Sequence, residues 1–160
     1  MNSGISYAEQ ARHNALNGQT CSEAVMTAFS TLSNLDEATA RKLASGMAGG
    51  MGGTKKNCGA VTAAYMILGL LLGPESVEDK NKRENVSKLV AEFSRRFNEQ
   101  FGTADCAILT NGYNFTSPAD MKRLRASGKP ESIITGAAGL LEQILIEQGV
   151  LLAERENSTP

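Results

Sequence analysis

The chain has no tryptophan, one histidine and three cysteines, and its 16 basic and 17 acidic side chains nearly cancel, for a net charge of -1 over 160 residues. Each scarcity closes off a class of function. A lone histidine, His13, makes neither a histidine-rich zinc site nor a Ser/His/Asp triad, and reads as a surface or capping residue. Without a basic excess there is no electrostatic footprint of a nucleic-acid binder. No run of eighteen apolar residues occurs, and the start, MNSGISYAEQARHNALNG, carries neither a basic n-region nor an apolar core. Membrane insertion and export are therefore not expected, and the location is read as cytoplasmic. An odd cysteine count in such a chain argues against a complete disulfide framework. It leaves reactive, metal-binding or buried thiols. No CxxC is present, so a local thioredoxin-like or zinc-knuckle signature is missing as well.

β-branched alternation is scarce too, whereas helix starts are frequent. Ser6 with Glu9 and Thr20 with Glu23 have capping-box spacing, Asp36 precedes a third helical segment, and Ser117-Pro118 opens another with proline at the first helical position. Asn57 is expected to cap the strongly apolar stretch CGAVTAAYMILGLLL, which Gly73-Pro74 must end. A segment opened by Ser76 and Asp79 carries Phe93, Phe97 and Phe101 four apart, a stripe that reads as core packing. The last helix is expected from Pro130 to Ala153. The predicted fold is all-α: one helical domain over 1–160, a bundle of about six to eight helices around a central buried helix starting near Cys58, with 154–160 as a frayed tail.

These helices put each cysteine at a helix start. Cys21 follows Thr20, Cys58 follows Asn57, and Cys106 lies three residues after Thr103. First-turn amides and the helix dipole favour thiolate, the form that attacks disulfides and binds soft metals. Lys55 and Lys56 add positive charge beside Cys58, which is therefore expected to be the most acidic of the three. Glu23 near Cys21 and Asp105 beside Cys106 act the other way. The opposing reading is that each is a buried, inert small hydrophobe.

Eight of the 16 glycines fall between Gly46 and Gly73. Gly49, Gly50, Gly52 and Gly53, followed by Thr54, Lys55, Lys56 and a helix start, could cradle an anion. They could equally form a tight connection in which two helices, or two copies in a homodimer, touch backbone to backbone. The stretch is not a P-loop, because Thr54 separates Gly53 from Lys55, and no strand precedes it. The pairs Gly59/Ala63, Ala60/Ala64 and Gly69/Gly73 suggest close helix packing.

Taken together, Cys21 within Asn17–Phe29, the glycine turn at Gly49–Gly53, the segment Cys58-Gly59-Ala60-Val61-Thr62-Ala63-Ala64 with Leu68-Gly69-Leu70, and Cys106 within Phe97–Leu109 resemble the family of putative redox-active proteins named for its pattern C…GCAxxG…C…C. The resemblance spans most of the chain and implies a class of chemistry rather than a particular reaction. The sequence departs from the pattern twice. Ala63 stands where a glycine is expected, and the fourth cysteine, expected around Gly128 to Ser132, is absent. Three thiols can still supply an attacking and a resolving sulfur, but not a four-thiolate cluster from one chain.

The expectation is thiol–disulfide or related redox chemistry, with Cys58 as attacking thiolate, Cys21 or Cys106 resolving it, and a redox partner of unstated identity. Two alternatives stand beside it. In one, Cys21, Cys58 and Cys106 hold a metal or iron–sulfur cluster, with a further ligand from elsewhere. In the other, the chain is a catalytically silent helical subunit with inert thiols.

Overall fold

The structure, a computed structural model, describes residues 4–152, so the expected tail at 154–160 lies outside the described residues. Among those residues there are helices and no strand. Local capping explains where most helices begin. Ser6 Oγ accepts from the Glu9 amide to open α1 (Tyr7–Leu16), and the Thr20 amide donates to Glu23 to open α2 (Cys21–Ala28). Asp36 accepts from Thr39 N ahead of α3 (Glu37–Ser45), and Ser117 accepts from Asp120 N ahead of α8 (Pro118–Ala126).

Between α3 and α5 (Gly59–Leu72) lies α4 (Ala48–Met51), a single turn kinked by left-handed Gly49 and Gly50. The helix α6 (Lys80–Phe101) is followed by the one-turn α7 (Cys106–Leu109), and the last helix is α9 (Lys129–Glu147).

Several boundaries differ from the sequence reading, each for a local reason. α2 stops at Ala28 rather than near Leu32, because the chain turns through left-handed Asn34 and the Leu35 amide returns to Ser30 O. Asp79, not Ser76, caps α6, since Ser76 Oγ is already accepting from the Glu78 amide. α9 ends at Glu147 rather than Ala153, where Gly149 turns left-handed and the Val150 amide bonds Leu145 O.

The apolar segment does form a helix, α5, but it shares the centre of the molecule. Its Val61, Ile67 and Leu68 are fully buried, while Leu70 is 48% exposed. Every residue of α2 from Ala24 to Ala28 is buried, so α2 is covered at least as completely. α2 packs on α1, α3 and α5, and α9 closes the bundle against α1, α5 and α6. The phenylalanine stripe is core, as its spacing indicates. Phe93 and Phe97 have no exposed surface, and Phe97 and Phe101 lie 4.7 Å apart between ring centroids. Each fully buried ring contributes roughly 1.5–3 kcal/mol through surface removed from water. Of the small pairs, Gly59/Ala63 and Ala60/Ala64 are buried, but Gly69 faces open space and serves no close contact. His13 is exposed on α1.

Candidate thiol site

The three cysteines reach one region from three separate helix starts. Cys21 is the first residue of α2, Cys106 the first of α7, and Cys58 is the N-cap of α5 in place of the expected Asn57. Asn57 is otherwise occupied: its side-chain amide donates to Thr62 Oγ1 at 3.0 Å. Likewise Asp105, not Thr103, caps the short α7 by accepting from the Ile108 amide. Thr103 Oγ1 instead accepts from the Asp105 amide one turn earlier.

A short antiparallel bridge between Asn57 and Asp105 holds two of these starts side by side. The Cys58 amide donates to Ala104 O at 2.8 Å, and the Cys106 amide donates to Lys56 O at 2.7 Å. Because side chains alternate along paired strands, Cys58 and Cys106 fall on the face opposite Asn57 and Asp105. Both are indeed buried, at 4% and 5% exposure. Asn57 and Asp105 instead line an open cleft of about 510 Å³ together with Lys55, Lys56 and Asn98.

Two glycines let the cysteines come close. A Cβ on Gly59 would sit 2.7 Å from Cys21 Sγ and 2.8 Å from Met47 O, so the Cys21 sulfur rests directly on the residue after Cys58. A Cβ on Gly50 would lie 2.6 Å from Cys106 Cβ and 2.7 Å from the Lys56 amide nitrogen. Next to Cys21, fully buried Ser22 donates to Ala44 O at 2.8 Å and ties α2 to α3. No disulfide links the three thiols, and Cys21 is the one only partly buried.

The glycine stretch is bonded to itself. The Gly53, Lys55 and Lys56 amides donate to Ala48 O, Gly49 O and Gly50 O, and Thr54 Oγ1 donates to Gly50 O and Met51 O. The Lys55 ammonium donates to Gly112 O at 3.1 Å and lies 5.1 Å above the Phe115 ring, which also packs on Gly49. An anion cradle at Gly49, Gly50, Gly52, Gly53, Thr54, Lys55 and Lys56 therefore has no free amide at Gly53, Lys55 or Lys56 to rest on. The stretch fills the gap between α3 and α5 and presses on Cys106. Nothing in the sequence marks Phe115 or the Asn57–Asp105 bridge, because both depend on contacts between distant segments.

The expectation that Cys58 is the most acidic thiol is overturned. Burial, and then the neighbouring Cys21 thiol, push Cys58 up from 9.0 to about 12, even though the Val61 and Ala60 amides at the helix start pull it down. Desolvation outweighs the dipole that the sequence reading relied on. Cys106 is pushed up to about 11 by burial, Cys21 and Asp105, with Lys55 and Thr110 opposing. Lys55 thus acts on Cys106 rather than on Cys58.

The shift at Cys58 links to stability. A thiol whose pKa is higher folded than unfolded contributes stability that is complete below pH 9 and lost between pH 9 and about 12. Stability is expected to fall there by about 1.4 kcal/mol per pH unit from this group. Urea midpoints of wild type and Cys58→Ala between pH 9 and 11 measure it. The variant should show the flatter pH dependence; equal slopes would refute the assignment.

Among the described residues no group of three or more His, Cys, Asp or Glu side chains is placed to hold a metal. No described helix is long and apolar enough to cross a membrane. The stretch Gly128 to Ser132, where the fourth cysteine was expected, opens α9 on a second cleft that Arg12, Glu131 and Gly136 help to line. Ala63 is buried at 1% exposure, so its methyl is accommodated where the pattern has glycine.

A family model described as "Putative redox-active protein (C_GCAxxG_C_C)" matches residues 19–144, which include all three cysteines and both contact glycines. No curated protein and no solved structure matches the chain.

Proposed function

Since the chain belongs to the C_GCAxxG_C_C family, we propose that Cys21 and Cys58, with Cys106 beside them, form a dithiol redox site that exchanges with a partner disulfide. The observation that carries the reading is the convergence of three helix starts, with the Cys21 sulfur against Gly59 and with Cys58 and Cys106 flanking the Asn57–Asp105 bridge.

The roles differ from those the sequence suggested. Burial, which pushes Cys58 up to about 12, keeps it protonated near neutral pH, so it does not lead the attack. The partly exposed Cys21 is the sulfur a partner can reach. Cys21 thiolate attacks one sulfur of the partner disulfide and releases the other as a thiolate, giving a mixed disulfide. Cys58 then loses its proton and attacks Cys21 Sγ, and the partner leaves with both its thiols reduced. Two electrons pass from the chain to the partner, and the chain keeps one intramolecular bond.

The test is a free-thiol titration before and after mild oxidation, with mass spectrometry to locate the bond. Loss of two of the three thiols into a Cys21–Cys58 bond is expected. Three thiols that stay free through oxidation would sink the reading. Alkylation of the reduced chain at pH 8 should label Cys21 first and Cys58 last.

A further inference from the structure

Cys106 is a buried thiol that the two-cysteine exchange leaves unused. Resting on the reading above, we propose that oxidation moves inward in two steps: a Cys21–Cys58 disulfide forms first, and Cys106 then displaces Cys21 to leave a Cys58–Cys106 disulfide and a free outer thiol.

Cys58 is the sulfur common to both pairs. On one side the Cys21 sulfur lies on Gly59, the residue next to Cys58 in the chain. On the other, the paired hydrogen bonds Cys58 N to Ala104 O and Cys106 N to Lys56 O hold Cys106 beside it, diagonally across the Asn57–Asp105 bridge.

The exchange balances without any further oxidant. Cys106 loses its proton, its sulfur attacks Cys58 Sγ, the Cys21–Cys58 bond breaks, and Cys21 departs as thiolate and takes up a proton. No electron leaves the chain. Once Cys106 has lost its proton, the departing group favours the forward step. Cys21 is partly exposed, so its thiolate is met by water, whereas the reverse step would expel a thiolate from a buried position.

Diagonal neighbours across such a bridge sit roughly 7–8 Å apart, just beyond the span of about 4.4–6.8 Å that a disulfide allows between Cα atoms. Closure therefore requires a small slide of α7. A single turn of four residues, with Ile108 63% exposed, can make that slide. The second bond should accordingly form more slowly than the first. The oxidised chain would then store its disulfide inside while offering the Cys21 thiol to a second partner disulfide.

The experiment uses the full chain and one equivalent of dithiodipyridine, a small aromatic disulfide, with acid quenching at increasing delays, alkylation and tryptic mapping. Cleavage after Arg41, Lys56, Lys80 and Arg96 puts the three cysteines in separate peptides. Cys21 labelling should be lost early, in a Cys21–Cys58 pair, and recovered later as Cys58–Cys106 appears and Cys106 labelling disappears. In Cys106→Ser the first pair should persist and Cys21 labelling should not return. The wild-type time course decides alone if that variant does not fold. A Cys21–Cys58 bond that never migrates overturns the relay and leaves the dithiol function standing. A bond between Cys21 and Cys106 overturns the central place of Cys58, and absence of any disulfide overturns the function itself.

Discussion

Gly50→Ala is expected to destabilise the protein by about 2–5 kcal/mol, the sum of left-handed backbone strain and overpacking. Gly50 has φ +69°, where an alanine is strained in any surroundings. Its new methyl would also meet Cys106 Cβ at 2.6 Å, Lys56 N at 2.7 Å and Lys55 C at 2.9 Å. Two of those atoms are backbone, and the Lys56 amide is pinned by its bond to Gly50 O, so the Lys55–Lys56 backbone cannot step aside cheaply. Such a loss is a large part of the 5–15 kcal/mol that holds a typical domain together. Gly53→Ala is the control. It has φ +79° but no atom within 4 Å of the added carbon, so it should cost only the strain, about 1–2 kcal/mol. Denaturant midpoints of the two variants separate the terms, and equal losses would show that Gly50 is not a contact residue.

Gly59→Ala is expected to slow formation of the Cys21–Cys58 disulfide by at least about tenfold, the effect of a displacement worth about 1.4 kcal/mol in the barrier. Gly59 is an ordinary helical residue without positive φ, so backbone strain is absent and the whole effect is contact. The added methyl would lie 2.7 Å from Cys21 Sγ and 2.8 Å from Met47 O, and it must push α2 away from the start of α5. Overpacking of this kind costs about 1–3 kcal/mol. Gly69→Ala, in the same helix with nothing within 4 Å, should change stability in the opposite direction, by about 0.5–1 kcal/mol, through better helix propensity. Thermal melts and oxidation rates of the two variants form the test. A Gly59→Ala chain that oxidises at the wild-type rate would remove this glycine from the site.

Much of the molecule is legible one turn at a time. Ser6, Thr20, Asp36 and Ser117 open the helices their spacing indicates, because a cap is satisfied within three residues of itself. The phenylalanine stripe faces the core because a period of four residues keeps it on one face of α6. Where a second segment competes, the local reading shifts. Asn57 is drawn to Thr62 and leaves Cys58 as the cap, and the glycine stretch spends its amides on its own carbonyls.

The amino-acid sequence alone determined the helices, the family pattern and the presence of each cysteine at a helix start, since these depend on near neighbours along the chain. Only the tertiary structure decided how the thiols relate. Bridging residues 55–58 to 104–107 brings together segments that share no local signal, and it buries Cys58 and Cys106 on the same side. Burial is a property of the packed whole. It outweighs the helix-start amides, and so the cysteine that the sequence marks as most acidic becomes, at about 12, a strongly protonated one.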